Sequence, residues 1–215
     1  MEPGEALGII GPNGAGKTTL MNLIAGDVPV DGGRIRFDGQ DITAWTPQRR
    51  CRAGIARSYQ IPHPFVGLTV LENVLVGAVF GAGHGERAAR PLASQALART
   101  GLADKAARLA GSLPLLDRKQ LELARALATE PKLLLLDEIA GGLTEHEVQA
   151  LLDTIRGIRA EGVTVVWIEH IVHALLAVVD RLVALDFGRL ITQGEPHAVM
   201  ADPAVREIYM GIDVE

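Results

Sequence analysis

A glycine-rich stretch near the start of the chain carries the first group of residues that could do chemistry. It runs Gly11-Pro-Asn-Gly-Ala-Gly16-Lys17-Thr18. Glycines let backbone N–H groups turn toward phosphate oxygens, and the start of a following helix adds partial positive charge. Lys17 can reach the β- and γ-phosphates of a nucleotide, and the Thr18 hydroxyl can ligate Mg²⁺. The pattern therefore predicts a site for nucleotide phosphates, formed by Gly11, Pro12, Asn13, Gly14, Ala15, Gly16, Lys17, Thr18 and Thr19.

Two adjacent acids, Asp137 and Glu138, follow a run of four leucines at residues 133–136. Such a run indicates a buried strand, which delivers both acids at its carboxyl end. Asp137 can hold Mg²⁺ directly or through water, and Glu138 can polarise an attacking water as a general base. An acidic pair after a strand often only leaves the core for solvent. The phosphate loop upstream favours the functional interpretation.

Gln60 and His170 each follow a predicted strand, at residues 55–59 and 163–168. In open α/β sheets, ligands bind beyond the carboxyl ends of the strands. We therefore expect both side chains at the same sheet edge as the phosphate loop and the acidic pair. Gln60 can ligate Mg²⁺ or position water, and His170 can donate a hydrogen bond to the γ-phosphate. A single Gln or His at a strand end is usually a solvated loop residue, so this prediction depends on the whole group.

The elements that must position these residues alternate between strand and helix. Apolar runs with β-branched residues on both faces indicate a mainly parallel sheet that is covered on both sides. Residues 68–129 are instead rich in alanine and leucine at helical spacing. We therefore predict an α/β core over residues 1–67 and 130–215, with a helical subdomain inserted at 68–129. Further strands are predicted at residues 7–10, 33–37, 181–185 and 189–191, and helices at 17–25, from Thr69, from Asp117 and from Thr144 to about Ala160.

Composition narrows the possible partners. The chain has 215 residues, of which 48% are hydrophobic, and a net charge of −5, which argues against a general affinity for nucleic acid. Its single cysteine, Cys51, fits a reducing compartment. No apolar run reaches the length of about 18 residues that a membrane span needs. We therefore expect any link to a membrane to pass through a partner protein.

The order of these motifs resembles that of an ABC-transporter ATPase. The separations, 43 residues from Lys17 to Gln60 and 33 from Asp137 to His170, are similar to those of that family. Four stretches most resemble the ATPases of branched-chain amino acid importers: Ala56-Arg-Ser-Tyr-Gln60, Leu68-Thr-Val-Leu-Glu-Asn-Val74, Leu121-Glu-Leu-Ala-Arg-Ala-Leu127 and Val205-Arg-Glu-Ile-Tyr-Met-Gly211.

The resemblance implies a phosphate-loop ATPase cassette that binds ATP with Mg²⁺ held by Thr18, Gln60 and Asp137. Glu138, His170 and Gln60 would align the water for hydrolysis. It also implies a dimer of ATPase subunits at the cytoplasmic face of the membrane, bound to two permeases and served by a periplasmic or extracellular binding protein. Related ATPases serve urea, amide and lipid systems, so the substrate stays open.

The signature loop departs from the family pattern Leu-Ser-Gly-Gly-Gln, which grips the γ-phosphate bound to the other subunit. Aligned on the following helix, this chain has Leu113, Pro114, Leu115, Leu116 and Asp117. Pro114 lacks both a hydroxyl and an N–H, the leucines add bulk, and Asp117 adds negative charge, although it can also cap the helix. Either the loop is a variant that works through its remaining N–H groups, or the chain forms a heterodimer with unequal sites.

Two further departures concern other parts of the cassette. Ile139 replaces the usual proline after Glu138, and Thr144 stands where Asp or Asn is common. Family members also have early strands and an adenine-stacking aromatic residue before the phosphate loop, and we expect a chain without them to bind ATP less tightly.

Two alternative functions stay open: a soluble ABC-type ATPase, and a nucleotide-binding module that regulates without hydrolysis. The positioned acid Glu138 argues against the second.

Overall fold

The computed structural model describes residues 1–210, and it describes the side chains of residues 1–208. The strands are β1 (Ala6–Ile10), β2 (Arg36–Phe37), β3 (Gln40–Asp41), β4 (Ile55–Ser58), β5 (Leu133–Asp137), β6 (Thr164–Ile168), β7 (Arg181–Asp186) and β8 (Arg189–Gly194). The α-helices are α1 (Lys17–Ala25), α2 (Pro47–Arg52), α3 (Val70–Val76), α4 (Glu86–Arg99), α5 (Leu115–Leu127), α6 (Glu145–Ala160), α7 (Val172–Leu176), α8 (Pro196–Ala201) and α9 (Pro203–Met210). A π-helical turn covers Gly77–Gly81, and short 3₁₀ turns cover Ala103–Lys105 and Ala110–Ser112.

The main sheet has six strands in the order β4-β5-β6-β1-β7-β8. Each neighbouring pair from β4 to β7 is parallel, and only the last pair, β7 with β8, is antiparallel. The predicted mainly parallel α/β fold is therefore confirmed. The register pairs Ser58 with Leu136 and Asp137 with Ile168, so the carboxyl ends of β4, β5 and β6 lie at one edge. This edge is where the sequence motifs were expected to meet.

Both faces of the sheet are covered, and the leucines of β5 show why. Leu134 and Leu136 belong to a large apolar cluster that also contains Leu151 of α6, whereas Leu135 belongs to a second cluster with Met21 of α1. Successive residues of a strand point to opposite faces, so one run of leucines supplies both clusters. All five residues of β5 are buried. The continuous apolar run in the sequence is thus explained by a strand enclosed on two sides.

The segment predicted to be a helical subdomain contains α3, α4 and α5, which all pack against one another. Thr69 caps α3 in a reciprocal capping box with Glu72, as its sequence spacing predicts. Thr144 and Glu147 do the same for α6. The structure gives the elements of this segment, and the division of the chain into two domains stays a prediction.

The start of α5 corrects one prediction. The helix begins at Leu115, two residues before the predicted start, and its N-cap is Pro114. The prediction that Asp117 caps this helix is wrong. Its carboxylate instead lies 2.8 Å from Nζ of Lys105, which belongs to the 3₁₀ turn Ala103–Lys105. An ion pair with a residue outside the helix has replaced the local cap.

Other differences are smaller. The strand predicted at residues 33–37 is only the two residues of β2, paired with β3 around the turn at Asp38 and Gly39. Helix α2 was not predicted, although Thr46 caps it and Pro47 opens it. None of the helices over residues 1–210 has the length and apolar character needed to cross a membrane. Of the resembling tail 205–211, Gly211 lies outside the described residues.

Candidate active site

The phosphate loop connects central strand β1 to helix α1, and its glycines have conformations that side chains disfavour. Gly14 and Gly16 have φ values of 84° and 95°, in the left-handed region. A Cβ added at Gly11 would lie 2.3 Å from the carbonyl oxygen of Leu185, so no side chain fits there. At Gly14 an added Cβ would meet no described atom within 4 Å. The loop therefore packs against Leu185 at Gly11, whereas the space beside Gly14 is open. A phosphate can approach the backbone there.

Lys17 lies in the first turn of α1 and is folded back onto the loop. Its Nζ donates to the carbonyls of Gly11 at 2.7 Å and Pro12 at 3.0 Å, and the residue is 6% exposed. Burial lowers the pKa of Lys17, while the nearby charges of Glu138 and Asp137 oppose that shift. Thr18 and Thr19 are exposed beside it. The phosphate loop therefore contains a buried lysine that lies near two acids.

Asp137 ends β5 and is tied to its neighbours by an arginine that the sequence analysis did not single out. Arg57 on β4 places Nη2 2.8 Å from Asp137 Oδ2. Its Nη1 donates to Asn22 Oδ1 at 2.6 Å and to Asp27 Oδ2 at 3.0 Å, beside α1. Arg57 therefore links the acid to the helix that follows the phosphate loop. The sequence showed Arg57 only as one residue of the resembling stretch before Gln60.

Glu138 is the meeting point of the predicted catalytic side chains. Gln60 Nε2 donates to Glu138 Oε2 at 2.5 Å, and His170 Nε2 lies 2.7 Å from Glu138 Oε1. Glu138 has a left-handed φ of 49°, and its backbone N–H donates to the carbonyl of Ile168. The expected convergence of Gln60, Glu138 and His170 at one edge is confirmed. Such a cluster can orient a water molecule and accept its proton.

A second acid next to this cluster was missed from the sequence. Glu169 lies directly between the end of β6 and His170 and is 1% exposed. Its carboxylate accepts backbone hydrogen bonds from Ala140 at 2.9 Å, from His170 at 2.9 Å and from Ile171 at 3.3 Å. The position of Glu169 directly after an apolar strand could have marked it as a candidate site residue. That pattern does not predict which backbone N–H groups bind its carboxylate.

The signature loop, residues 113–117, adjoins the loop after Glu138. Among the described residues, no hydrogen bond joins residues 113–117 to the phosphate loop or to the cluster around Glu138. Leu113 is buried, whereas Leu115 is 42% exposed. The Leu115 side chain lies 3.3 Å from where a Cβ of Gly142 would be, so it packs on the loop after Glu138. Pro114 and Leu115 are thus exposed at the start of α5, whereas Asp117 is buried.

A glycine-rich loop after the central strand of a parallel sheet, with an acidic pair at the end of a nearby strand, defines a phosphate-loop nucleoside triphosphatase. Comparison with known proteins gives the family. Residues 1–141 match the family model described as ABC transporter. The chain belongs to the ABC transporter family as an ATP-binding subunit, and members of this family hydrolyse ATP.

Three relatives illustrate the match. The high-affinity branched-chain amino acid transport ATP-binding protein BraF of Pseudomonas aeruginosa is 34% identical, over 98% of this chain and 89% of its own length. The lipopolysaccharide export system ATP-binding protein LptB of Acidithiobacillus ferridurans is 35% identical, over 97% and 86%. The crystal structure of the ADP conformation of an ABC-transporter cassette matches with a TM-score of 0.89 at 34% identity, over 98% and 89%. The resemblance seen in the motifs is confirmed.

Proposed function

We propose that this chain hydrolyses ATP at the cytoplasmic face of a membrane importer for branched-chain or related amino acids. The observation that carries the catalytic part is the cluster in which Gln60 and His170 both contact Glu138, beside the buried Lys17. The importer part is supported by the similarity to BraF, whose name states branched-chain amino acid transport.

In this proposal the loop from Gly11 to Thr19 binds the phosphates of ATP, and Lys17 moves from its two carbonyl partners to the β- and γ-phosphates. The residues present fit a Mg²⁺ ion that arrives with the nucleotide. Thr18, Gln60 and Asp137 would hold it, and it would neutralise phosphate charge. The described residues contain no cluster of three or more His, Cys, Asp or Glu that could hold a metal unaided. Phosphate oxygens and water would therefore complete the coordination, as is usual for Mg²⁺.

Glu138 is the proposed general base. Its two oxygens already contact Gln60 and His170, so the carboxylate is held in place before a water enters. His170 would donate a hydrogen bond to the γ-phosphate, and Gln60 would help to place the water. Catalysis of this kind depends mainly on position and charge. This arrangement favours hydrolysis over the alternative of a regulatory module that only binds nucleotide.

An exposed apolar patch beside Gln60 supports docking on a membrane permease. Ile61, Phe65, Val66 and Leu109 are 65%, 47%, 64% and 55% exposed. The N–H of Gly111 donates to the carbonyl of Val66, which fixes the Gln60 loop to the turn before the signature loop. Apolar side chains grouped on a surface commonly mark protein–protein contacts. Residues 60–74 would therefore carry the coupling between ATP hydrolysis and the permeases.

The second ATPase subunit is proposed to be a different chain with an intact signature loop. The support is the contrast between the complete cluster around Glu138 and the sequence Pro114, Leu115 and Leu116, which offers neither a hydroxyl nor glycine. Asp117 supports this less than its charge suggests, because Lys105 lies 2.8 Å from its carboxylate. A variant loop that still works in a homodimer is the competing interpretation.

Uptake of labelled leucine and valine tests the importer proposal. Cells that lack the chain should lose uptake, the wild-type chain should restore it, and Glu138→Gln should not. Because a similar relative is named for lipopolysaccharide export, lipid export should be measured in the same cells. Normal amino acid uptake with defective export would reject the importer assignment.

Purification of the tagged chain from detergent-solubilised membranes tests its partners. The proposal expects two membrane permeases and a second ATPase in stoichiometric amounts, with the external binding protein joining only indirectly. Recovery with soluble machinery instead would favour the alternative of a soluble ABC-type ATPase.

A further inference from the structure

A buried carboxylate outside the catalytic scheme lies between the two loops that carry its residues. Glu169 is 1% exposed and directly precedes His170. A carboxylate buried to this degree is costly unless hydrogen bonds replace the water that it loses. The donors that satisfy Glu169 therefore identify the parts of the structure that it holds.

The two oxygens of Glu169 bind different loops. Oε1 accepts the N–H groups of His170 and Ile171, at the start of the loop after β6. Oε2 accepts the N–H of Ala140 at 2.9 Å, two residues after Glu138 in the loop after β5. One side chain thus fastens the loop of His170 to the loop of Glu138. Hydrogen bonds to a charged acceptor are stronger than those between neutral groups.

The loop that Glu169 holds contains a strained residue. Glu138 is not a glycine, yet it has a φ of 49°. Such a conformation persists only where the surroundings enforce it. The N–H of Glu138 donates to the carbonyl of Ile168 at 2.8 Å, and the bond from Ala140 to Glu169 holds the chain just beyond it. Both restraints come from the end of β6.

Helix α5, which follows the signature loop, carries a buried lysine whose pKa is affected by the same carboxylate. Lys119 on α5 is 6% exposed. Burial lowers the pKa of Lys119, and the charges of Glu169 and Glu138 oppose that shift.

We propose that Glu169 is a positioning residue for ATP hydrolysis, which holds the loops of Glu138 and His170 in the relative placement that lets both act on one nucleotide. The proposal rests on ATP hydrolysis, which follows from the family, and is independent of the transported substrate.

The test uses Glu169→Gln in the full chain, purified in the complex in which the wild type hydrolyses ATP. Glutamine keeps one oxygen for His170 and Ile171, but its amide nitrogen cannot accept the bond from Ala140. We expect kcat to fall by about tenfold or more, because small displacements of catalytic groups are costly. The dissociation constant for ATP and KM should stay near the wild-type values, since the phosphate loop is untouched.

Glu195→Gln is the matched control. Glu195 also accepts two backbone N–H groups, from His197 and Ala198, but it caps α8 and lies in no catalytic loop. Its variant should keep the wild-type kcat. Glu169→Asp is the second variant, because its shorter side chain keeps the acid but cannot span both loops, and it should also lose kcat.

Four results would overturn the proposal. One is an unchanged kcat in folded Glu169→Gln. Another is a rise in KM without a fall in kcat, and a third is an equal fall in kcat in both glutamine variants. The fourth is the failure of both Glu169 variants to fold, judged by thermal melting, which would make Glu169 a requirement of the fold alone.

Discussion

The cluster around Glu138 and the signature loop are two parts of one cassette, and they are built very differently. At the first, Gln60 and His170 each contact Glu138, and Arg57 holds Asp137. At the second, the N-cap is Pro114, and no described side chain donates or accepts a capping bond there. The part proposed to hold this chain's own nucleotide has a polar network of these side chains. The signature loop, which the resemblance expects to contact the nucleotide of the other subunit, has Leu115 and Leu116 in place of polar or glycine residues.

The helices also differ at their starts. Helices α3 and α6 begin with reciprocal capping boxes, whereas α5 begins without a side-chain cap in the described structure. Within residues 1–210, helices α1, α4 and α7 also begin without a side-chain cap, so the start of α5 differs in its signature sequence and not in its missing cap.

Replacement of Lys17 or of Glu138 should have the largest effects. Lys17→Ala removes the buried cation that lies beside Glu138 and Asp137 at the phosphate loop. We expect ATP hydrolysis to fall by about 100-fold or more, because this charge stabilises the transferring phosphoryl group. Lys132→Ala is the control, since Lys132 pairs with Asp38 on the surface. Steady-state hydrolysis near the wild-type rate in Lys17→Ala would show that the site is elsewhere.

Replacement of the proposed base should separate binding from chemistry. Glu138→Gln keeps the size of the side chain but cannot accept a proton from water. We expect kcat to fall by about 100-fold to 10,000-fold, with ATP still bound. Fluorescent-nucleotide titration and single-turnover hydrolysis measure the two effects. Glu130→Gln, which alters an exposed acid beside His84, should behave like the wild type. Equal rates in both variants would contradict the assignment of Glu138.

Restoration of the family's signature residues should let the signature loop support ATP hydrolysis, as the cluster around Glu138 is proposed to do. The triple variant Pro114→Ser, Leu115→Gly, Leu116→Gly supplies a hydroxyl and accessible backbone N–H groups. We expect the chain without its partner to hydrolyse ATP about tenfold faster or more, since a single well-placed donor can have an effect of that size. An unchanged rate, with the fold intact, would mean that the native loop is already competent.

The helix caps should show a smaller effect, on stability. Thr144→Ala removes the side-chain cap of α6 and should reduce the free energy of unfolding by about 1 kcal/mol. Thr154→Ala is the control, because Thr154 lies inside the same helix and bonds only to the carbonyl of Ala150 among the described residues. Urea denaturation compares them. Equal losses in both variants would argue that the cap has no special role.

Acid titration of the same cap should give the smallest effect. Hydrogen bonds from the backbone and side chain of Thr144 lower the pKa of Glu147 from its ordinary value of 4.5. A carboxylate whose pKa is lowered by folding stabilises the protein above its unfolded pKa, and this is lost as the pH falls through the folded value. The stability difference between the wild type and Glu147→Gln should therefore be full at pH 6 and vanish under more acidic conditions. A difference that grows with acid would have the wrong sign.

Strands and helix caps that depend on neighbouring residues could be predicted from the sequence. Hydrogen bonds between residues far apart in the chain could not. The leucine run of β5 and the caps Thr69 and Thr144 depend on neighbours within a few residues, so their patterns predict the structure directly. The bond from Arg57 to Asp137 joins residues 80 apart, and the bond from Ala140 to Glu169 joins residues 29 apart. Neither pairing has a local pattern, because the sheet order alone brings these residues together.

The start of α5 shows a further limit. Asp at the beginning of a helix favours a cap, but Asp117 forms an ion pair with Lys105 on the 3₁₀ turn Ala103–Lys105 instead. The four strand ends at one edge could be predicted, because parallel strands place their carboxyl ends together. The exact contacts made by Glu138 required the structure.

The rate of ATP hydrolysis by the chain alone, and mixed with the ATPase that co-purifies with it, tests the contrast between the two regions most directly. Each preparation is measured with wild-type chain and with Lys17→Ala. We expect little hydrolysis by the chain alone, high activity in the mixture, and loss of that activity when the mixture contains Lys17→Ala. Full activity by the chain alone, abolished by Lys17→Ala, would show that its own signature loop completes the site and would contradict the unequal-site account.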